Sequence, residues 1–327
     1  MKFKNFLLIF FSIFFFLILT EITLRLTGAE PRQNPDFTIN EPLTNISDPI
    51  LGWIPKEGTH KFKPWTEEGE ETYLTINRDK SRFTGSVDNN KKKIIFIGGS
   101  LTQGWALSDN ETFSFLIQKK NYDYKVFNFG VGGYGGYQSL LLLERIFKEK
   151  NKIELVIYGF IPHHETRNTA AGSWMYLLNF FSKRGFVNLP YGSIDKDNKL
   201  IKNKPIKYIN LPLGKNSALV AKIEKRIMKL KSLFREKKQT EISLSIINEM
   251  NKLSAKNNSK FILLMLEEFY DNRSNKYNLF LEKKNITFIK CLVPKGEKYK
   301  VTGDGHPNKS ANVEISECIN KKIRLNN

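Results

Sequence analysis

Three residues have the types that acyl transfer needs, although they lie in two distant segments. Ser100 follows the apolar run 94–97 and two glycines, while Asp304 and His306 share the segment "DGHPN". A serine hydroxyl becomes a nucleophile when a base takes its proton, and a carboxylate can hold that base in the right orientation. One interpretation is therefore that Ser100 is a nucleophile, His306 its base and Asp304 the partner of His306.

Each of these two segments also has an interpretation without chemistry. Serine is a favoured N-cap, so Ser100 can simply begin the helix that follows it. The "DGHPN" segment can be a polar turn that caps the last helix. The choice depends on the elements around them.

Strands and helices alternate along most of the chain, which is typical of a parallel sheet covered on both faces. Five apolar runs predict strands at 94–97, 124–129, 153–160, 259–266 and 286–292. Helical spacing predicts helices at 137–150, 240–256, 274–284 and 309–323. The expected fold class is α/β, with three layers (α/β/α) around a mostly parallel five-stranded sheet. Ser100 then stands at the carboxyl end of the first strand, where such sheets bind ligands.

The first residues predict a membrane anchor, which we assign to residues 1–27. Residues 6–20 carry no charge, and helix continuing to residue 26 approaches the ~20 residues that a span needs. A cleaved signal peptide and a buried core helix are alternatives, but the site expected for cleavage is poor. Lys2 and Lys4 predict a cytoplasmic N-terminus, with the remainder periplasmic or at the cell surface.

The rest of the chain divides into two parts. Residues 28–50 are polar and contain prolines, as a linker does, and short strands around turns continue this entry segment to residue 90. Residues 91–327 form the α/β domain. An insertion at about 169–235 has an aromatic, loop-like first part and then a basic amphipathic helix. An insertion of this length is typical of a lid, cap or partner surface. The helix also suits a membrane surface, although a solvated basic face is the more common outcome.

Charge and cysteine content exclude several classes of protein. The formal net charge is +19, yet no basic stripe carries interleaved aromatic residues, so we expect no nucleic-acid partner. The charge also suits an anionic membrane or envelope polymer. Two cysteines exclude a disulfide-rich scaffold; Cys291 and Cys318 can pair in an exported domain, but two free thiols are favoured. Adjacent histidines such as His163 and His164 tend to point apart, so we expect no metal site. We also expect no cofactor.

A glycine-rich turn follows the second predicted strand. In "NFGVGGYGGYQ", Gly130, Gly132 and Gly135 match the GxGxxG pattern of dinucleotide-binding proteins. The pattern follows the second strand rather than the first, so its context is poor. The other interpretation is that these glycines expose backbone N–H groups toward a developing negative charge.

These segments together resemble the SGNH (GDSL-type) hydrolases, in particular membrane-anchored bacterial members with a β-rich N-terminal segment. "FIGGSLTQG" is similar to the first motif block of that family, with Gly99 where Asp often stands; "NFGVGG" is similar to the second block and "DGHPN" to the fourth. The resemblance implies a flavodoxin-like arrangement with Ser100 as nucleophile, His306 as base, Asp304 as its partner and Gly133 in the oxyanion hole.

The sequence departs from the family's pattern in two places. The third block usually carries an Asn that donates to the oxyanion, whereas "YGFIPHHETRN" has His163 there, and a neutral imidazole can also donate. Asp304 and His306 are two residues apart instead of three, which is similar to acyltransferase-like relatives.

The resemblance implies an anchored serine esterase or O-acyltransferase. Its expected substrate is an ester-linked acyl group, acetyl above all, on a glycan of the envelope, and the reaction passes through an acyl-enzyme. The alternative is a catalytically inactive anchored protein that binds a glycan or a partner through the aromatic residues 169–191. The altered third block is the feature that supports this alternative.

Overall fold

The computed structural model describes residues 2–32, 43–63, 70–86, 88, 90–182 and 187–323. Within these residues the helices are α1 (Lys2–Leu26), α2 (Ser100–Gln103), α3 (Phe113–Lys120), α4 (Gly136–Glu149), α5 (His164–Asn168), α6 (Gly172–Phe181), α7 (Ala218–Glu236), α8 (Gln239–Lys256), α9 (Arg273–Lys283) and α10 (Lys309–Ile323). The strands are β1 (Asn45–Asp48), β2 (Gly52–Pro55), β3 (Gly58–Phe62), β4 (Thr72–Ile76), β5 (Lys92–Gly98), β6 (Tyr124–Gly130), β7 (Ile153–Phe160), β8 (Leu189–Ile194), β9 (Leu200–Ile206), β10 (Lys260–Met265) and β11 (Phe288–Lys290).

A five-stranded sheet with the order β11-β10-β7-β5-β6 forms the centre of the protein, and all of its pairings are parallel. Numbered along the chain, this is the order 2-1-3-4-5 of flavodoxin-like folds. All five predicted strands are present, and the predicted α/β fold class is confirmed. Strand β11 is shorter than predicted because this edge strand pairs with β10 over three residues only.

The central strands are apolar on both faces because helices cover both sides of the sheet. Ile95 and Ile97 of β5 face the layer formed by α4, α8 and α9. Ile94 and Phe96 point the other way, toward α3 and α10. All four side chains are fully buried, which explains why strand β5 shows no alternation of polar and apolar residues.

The entry segment forms two antiparallel hairpins, β1–β2 and β3–β4, that pack against the α/β domain. The predicted linker 28–50 is wrong for residues 45–48, which form strand β1, while residues 33–42 lie outside the described residues. Asp48 fixes this strand, because its carboxylate accepts hydrogen bonds from the N–H groups of Ile50 and Leu51 and pairs with Arg145 of α4.

The insertion contains more regular structure than the sequence indicates. Its aromatic first part was predicted to be loop-like, but it forms helix α6, which packs on α7 and buries Met175. The N–H of Gly172 at the start of α6 donates to Ser232 Oγ of α7 at 3.0 Å. This partner lies 60 residues along the chain, so the local sequence pattern does not reveal it. The basic amphipathic helix is present as α7.

Helix α1 is long and apolar enough to cross a membrane. Its residues Phe3–Leu26 have a mean hydropathy of 2.5 over the best window, and none of that window is buried inside the protein. A membrane anchor and a signal sequence both fit these properties.

The expectation of two free thiols is wrong. Cys291, which follows β11, forms a disulfide with Cys318 of α10, and their Cα atoms are 5.7 Å apart. Helix α10 packs along the face of the sheet next to β11, and this tertiary contact brings together two residues 27 positions apart.

We predict that this disulfide stabilises the folded chain by about 3.5 kcal/mol, from the entropy that a closed loop of this length removes from the unfolded state. Unfolding of the full chain in urea and a non-ionic detergent, with and without dithiothreitol, measures the difference. The Cys291→Ser/Cys318→Ser variant is the control and should be insensitive to dithiothreitol. Equal stabilities of the oxidised and reduced protein would contradict the prediction.

Candidate functional site

Ser100 is the first residue of α2, directly after strand β5. The N-cap of this helix is Gly99, so the interpretation of Ser100 as an N-cap is wrong. In the sheet order, β5 lies between β6 and β7, and the connections from β5 and β6 leave toward opposite edges. Ser100 therefore stands at the topological switch point, where open α/β sheets bind their ligands.

A chain of hydrogen bonds joins Ser100 to the loop before the last helix. His306 Nε2 lies 2.9 Å from Ser100 Oγ, and His306 Nδ1 contacts Asp304 Oδ1. An ionised carboxylate can only accept, so this contact places the ring proton on Nδ1. The Nε2 atom is then free to accept the proton of the serine hydroxyl.

The carboxylate of Asp304 is held on both of its oxygens. Oδ1 also accepts the backbone N–H of His306 at 3.0 Å, and Oδ2 accepts the indole N–H of Trp105 at 3.2 Å. The Asp304 side chain is fully buried, whereas the His306 side chain stays 25% exposed. The spacing of two residues thus still allows the carboxylate to orient the imidazole, because the same oxygen meets both the backbone and the ring of His306.

Buried polar side chains fix the turn that carries Ser100. Arg82 of the entry segment donates to the carbonyl oxygens of Gln103 and Leu107, and its Nε lies 3.2 Å from Asp109 Oδ1. Asn128 of β6 donates to the carbonyl oxygen of Thr102 at 2.8 Å. The sequence analysis missed both anchors, because their partners are main-chain atoms of a segment distant in sequence.

The glycine-rich turn lies against α2 and the entry segment. Gly133 has a φ of +81°, and a Cβ there would lie 3.1 Å from the ring of Trp53 and 3.6 Å from that of Trp174. Both the backbone conformation and the space therefore favour glycine. The N–H of the preceding Gly132 donates to Gln103 Oε1 at 3.0 Å, which joins this turn to α2. The role of Gly133 as an oxyanion donor remains a prediction.

The two histidines after β7 have different surroundings. The His163 ring is exposed, and among the described residues no hydrogen bond links it to Ser100; its role in the oxyanion hole remains a prediction. The His164 ring is buried, with Nδ1 2.7 Å from the hydroxyl of Tyr158. Burial, with a smaller contribution from Arg167, holds the pKa of His164 well below its ordinary value of 6.5.

His164 and Arg167 fill the space beside Gly99. A Cβ on Gly99 would lie 2.8 Å from His164 Nε2 and 3.0 Å from Arg167 Nη1. The guanidinium of Arg167 also donates to the carbonyl oxygen of Tyr134 and stacks 4.6 Å from the centre of the Trp174 ring. This crowding is the physical reason why glycine is favoured at position 99.

One further carboxylate lies near the site. Glu267 follows β10 and is half-buried, and burial raises its pKa, while electrostatic interactions with His163, Arg167 and His306 act in the opposite direction. The sequence analysis missed Glu267 and Arg167. The polar residues in the segments after strands β7 and β10 were the available signal, since the carboxyl ends of parallel strands meet at one edge of the sheet.

No model of a known protein family matches the sequence, and no curated protein matches it either. Solved structures do show similarity. A protein described as a G-D-S-L family lipolytic protein from Desulfitobacterium hafniense is 11% identical, with coverage of 71% of this chain and 99% of that chain and a TM-score of 0.42. A GDSL-like lipase from Bacteroides ovatus is 14% identical, with coverages of 72% and 99% and a TM-score of 0.39. A carbohydrate esterase is 11% identical, with coverages of 83% and 89% and a TM-score of 0.38. Because these values are low, the function has to be argued from the residues of this chain.

We predict that Gly99→Ala lowers the free energy of unfolding by about 1–3 kcal/mol, because the added methyl group must displace His164 and Arg167. The φ of −92° at Gly99 suits alanine, so the cost is steric. Urea unfolding of Gly99→Ala, His164→Ala and the double variant measures it. The double variant should cost less than the sum of the single variants, and strict additivity would contradict the proposed contact.

We also predict a pH dependence of stability that comes from His164. Its pKa is depressed in the folded state, so near pH 6.5 the unfolded chain binds a proton at His164 and the folded chain does not. The contribution of His164 to the free energy of unfolding is therefore fully present above pH 6.5 and is lost as the pH falls below it. Between pH 7.5 and 5.5 the loss should be about 1.4 kcal/mol.

Urea unfolding of the wild-type chain and of His164→Gln at both pH values checks this dependence. The glutamine retains a hydrogen-bonding group for Tyr158 but does not titrate. An equal change of stability in both proteins would show that His164 is not the titrating group.

Proposed function

We propose that the protein is an extracytoplasmic serine esterase or O-acyltransferase held at the membrane by α1. The observation that carries this proposal is the continuous hydrogen-bonded chain Ser100–His306–Asp304 at the carboxyl edge of the sheet. A nucleophile, a base and an orienting group in this order are the arrangement that acyl transfer requires.

In the proposed reaction Ser100 Oγ attacks the carbonyl carbon of an ester while His306 Nε2 takes the hydroxyl proton. The C–O bond to the leaving group then breaks, and the imidazolium returns the proton to the departing alkoxide. An acyl-enzyme on Ser100 remains. Water or a sugar hydroxyl, deprotonated by the same imidazole, next attacks the acyl carbon and regenerates Ser100. The carboxylate of Asp304 keeps Nδ1 protonated and stabilises the imidazolium that forms in each step.

When Ser100 attacks the ester, negative charge develops on the carbonyl oxygen, and hydrogen-bond donors must stabilise it. We assign this role to the backbone N–H groups of Ser100 and Gly133, with His163 as a third donor. The loss of one such donor typically costs on the order of 10²–10³ in rate. The exposed ring of His163 has the freedom to approach a bound substrate, in contrast to the buried ring of His164.

We propose a small acyl group, acetyl above all, as the group that is transferred. The indole rings of Trp53 and Trp174 lie within 3.1–3.6 Å of the point where a Cβ of Gly133 would be, so they limit the space beside the proposed oxyanion site. The resemblance to anchored SGNH hydrolases suggests a glycan of the envelope as the carrier of this acyl group.

We predict that Ser100→Ala lowers turnover of a chromogenic acetyl ester to the uncatalysed background and that Asp304→Asn lowers kcat on the order of 10³–10⁴-fold. Asparagine leaves the ring without a carboxylate to fix its tautomer. The full chain in non-ionic detergent is the sample. Ser245→Ala, at a partly exposed serine on α8, and His60→Gln in the entry segment are the matched controls and should retain full activity.

Equal turnover by the wild-type chain and Ser100→Ala would reject Ser100 as the nucleophile. Glycan binding without turnover in both proteins would instead favour the inactive binding protein. Among active outcomes, release of acetate without an added acceptor indicates a hydrolase, and release that depends on an added oligosaccharide indicates a transferase.

A further inference from the structure

Helix α7 exposes several of its large apolar side chains to solvent. The side chains that it buries include Ala221, Glu224, Met228 and Ser232. The side chains that it exposes include four large apolar residues: Ile223 (42%), Leu230 (65%), Leu233 (38%) and Phe234 (87%). Contact with water is unfavourable for such side chains, so this face indicates a further contact.

The exposed apolar residues form a stripe along the helix. Ile223, Leu230 and Phe234 are separated by seven and then four residues, which places them on one side at 100° per residue. Lys222, Arg226 and Lys229 are exposed along one flank of this stripe. An apolar stripe bordered by basic residues is typical of helices that lie in the interface of a bilayer.

The end of α1 is tied to the start of α7. The Glu21 carboxylate of α1 accepts hydrogen bonds from the N–H groups of Ala218 and Leu219 at 2.8 and 2.9 Å and from Ser217 Oγ at 2.8 Å. It thus caps the first turn of α7, where a negative charge is favourable. Arg25, one turn further along α1, donates to the carbonyl oxygen of Asn216 at 2.7 Å.

A second set of contacts continues this connection beyond α1. The N–H of Arg32 donates to the carbonyl oxygen of Gly214 at 2.8 Å, and its guanidinium lies 3.1 Å from Glu224 in a buried ion pair. The side chains of Arg32 and Glu224 are 6% and 0% exposed. If α1 spans a membrane, α7 must therefore begin where α1 leaves it.

We propose that α7 lies on the surface of the bilayer that α1 enters, with the stripe of Ile223, Leu230 and Phe234 in the interface. Lys222, Arg226 and Lys229 then meet anionic headgroups. This contact would fix the domain relative to the membrane at two places instead of one. The proposal rests on the membrane anchorage in the proposed function, and not on its chemistry.

The depth of a nitroxide label at position 234 tests this arrangement. Both native cysteines form the disulfide, so Phe234→Cys adds a single reactive thiol to the full chain. The labelled protein is placed in nanodiscs with anionic lipid, one copy per disc, and accessibility to oxygen and to a water-soluble nickel chelate is measured. Leu279→Cys on α9, which is 68% exposed, is the water-exposed control, and Phe14→Cys in α1 is the membrane control.

We expect nickel accessibility at position 234 to be several-fold lower than at 279 and oxygen accessibility to be several-fold higher. Equal values at 234 and 279, with position 14 protected, would overturn the proposal but leave the anchor intact. Water exposure at both 14 and 234 would reject the anchor itself. Turnover of the acetyl ester does not enter either comparison.

A second copy of the chain is the competing occupant of the stripe. Protection of position 234 that appears only in discs with two copies, with a dipolar interaction between the labels, would overturn the bilayer proposal. The charge contribution is tested by Lys222→Gln/Arg226→Gln/Lys229→Gln, which should raise nickel accessibility at 234 in anionic discs. The exposed triple variant Lys256→Gln/Lys283→Gln/Lys284→Gln is the matched control and should leave it unchanged; equal effects would contradict a local headgroup contact.

Discussion

The hydrogen bond between Ser100 and His306 is the constraint on which the proposed chemistry depends, and it joins residues 206 positions apart. A contact over this sequence separation exists only if strand β5 and helix α10 both hold fixed positions on the same sheet. The parallel sheet positions β5, since the carboxyl ends of its strands share one edge. The packing of α10 beside the sheet and the disulfide at Cys291 position α10. The interactions that stabilise the fold therefore also align Ser100 with His306.

The two halves of the site also share structural support. Trp105 lies directly beyond α2, which carries the nucleophile, and its indole N–H reaches the carboxylate of Asp304. Arg82 holds the other side of the same turn from the entry segment, where its backbone N–H bonds to Asn128 of the edge strand β6. Arg82 is therefore part of the framework of the site. Loss of its side chain should be transmitted to Ser100 through the main-chain carbonyl groups that it holds.

The sequence was sufficient for the sheet because both of its faces are buried, so each central strand is a continuous apolar run such as 153–160. It was also sufficient to propose Ser100 and His306, because few residue types can act as nucleophile and base. It was not sufficient for α6, the disulfide or the outward apolar face of α7, since each depends on a distant partner. The pattern of α7 predicts an amphipathic helix correctly, but the pattern cannot tell which face the domain buries.

The region beside Gly99 shows how the residue type at one position can depend on its neighbours in space. A side chain at position 99 would collide with His164 and Arg167, so the positions of these two residues require glycine there. These two neighbours also set the local charge beside Gly99, through the buried imidazole of His164 and the guanidinium of Arg167. A guanidinium near the nucleophile favours negative charge on a tetrahedral intermediate, whereas a carboxylate opposes it.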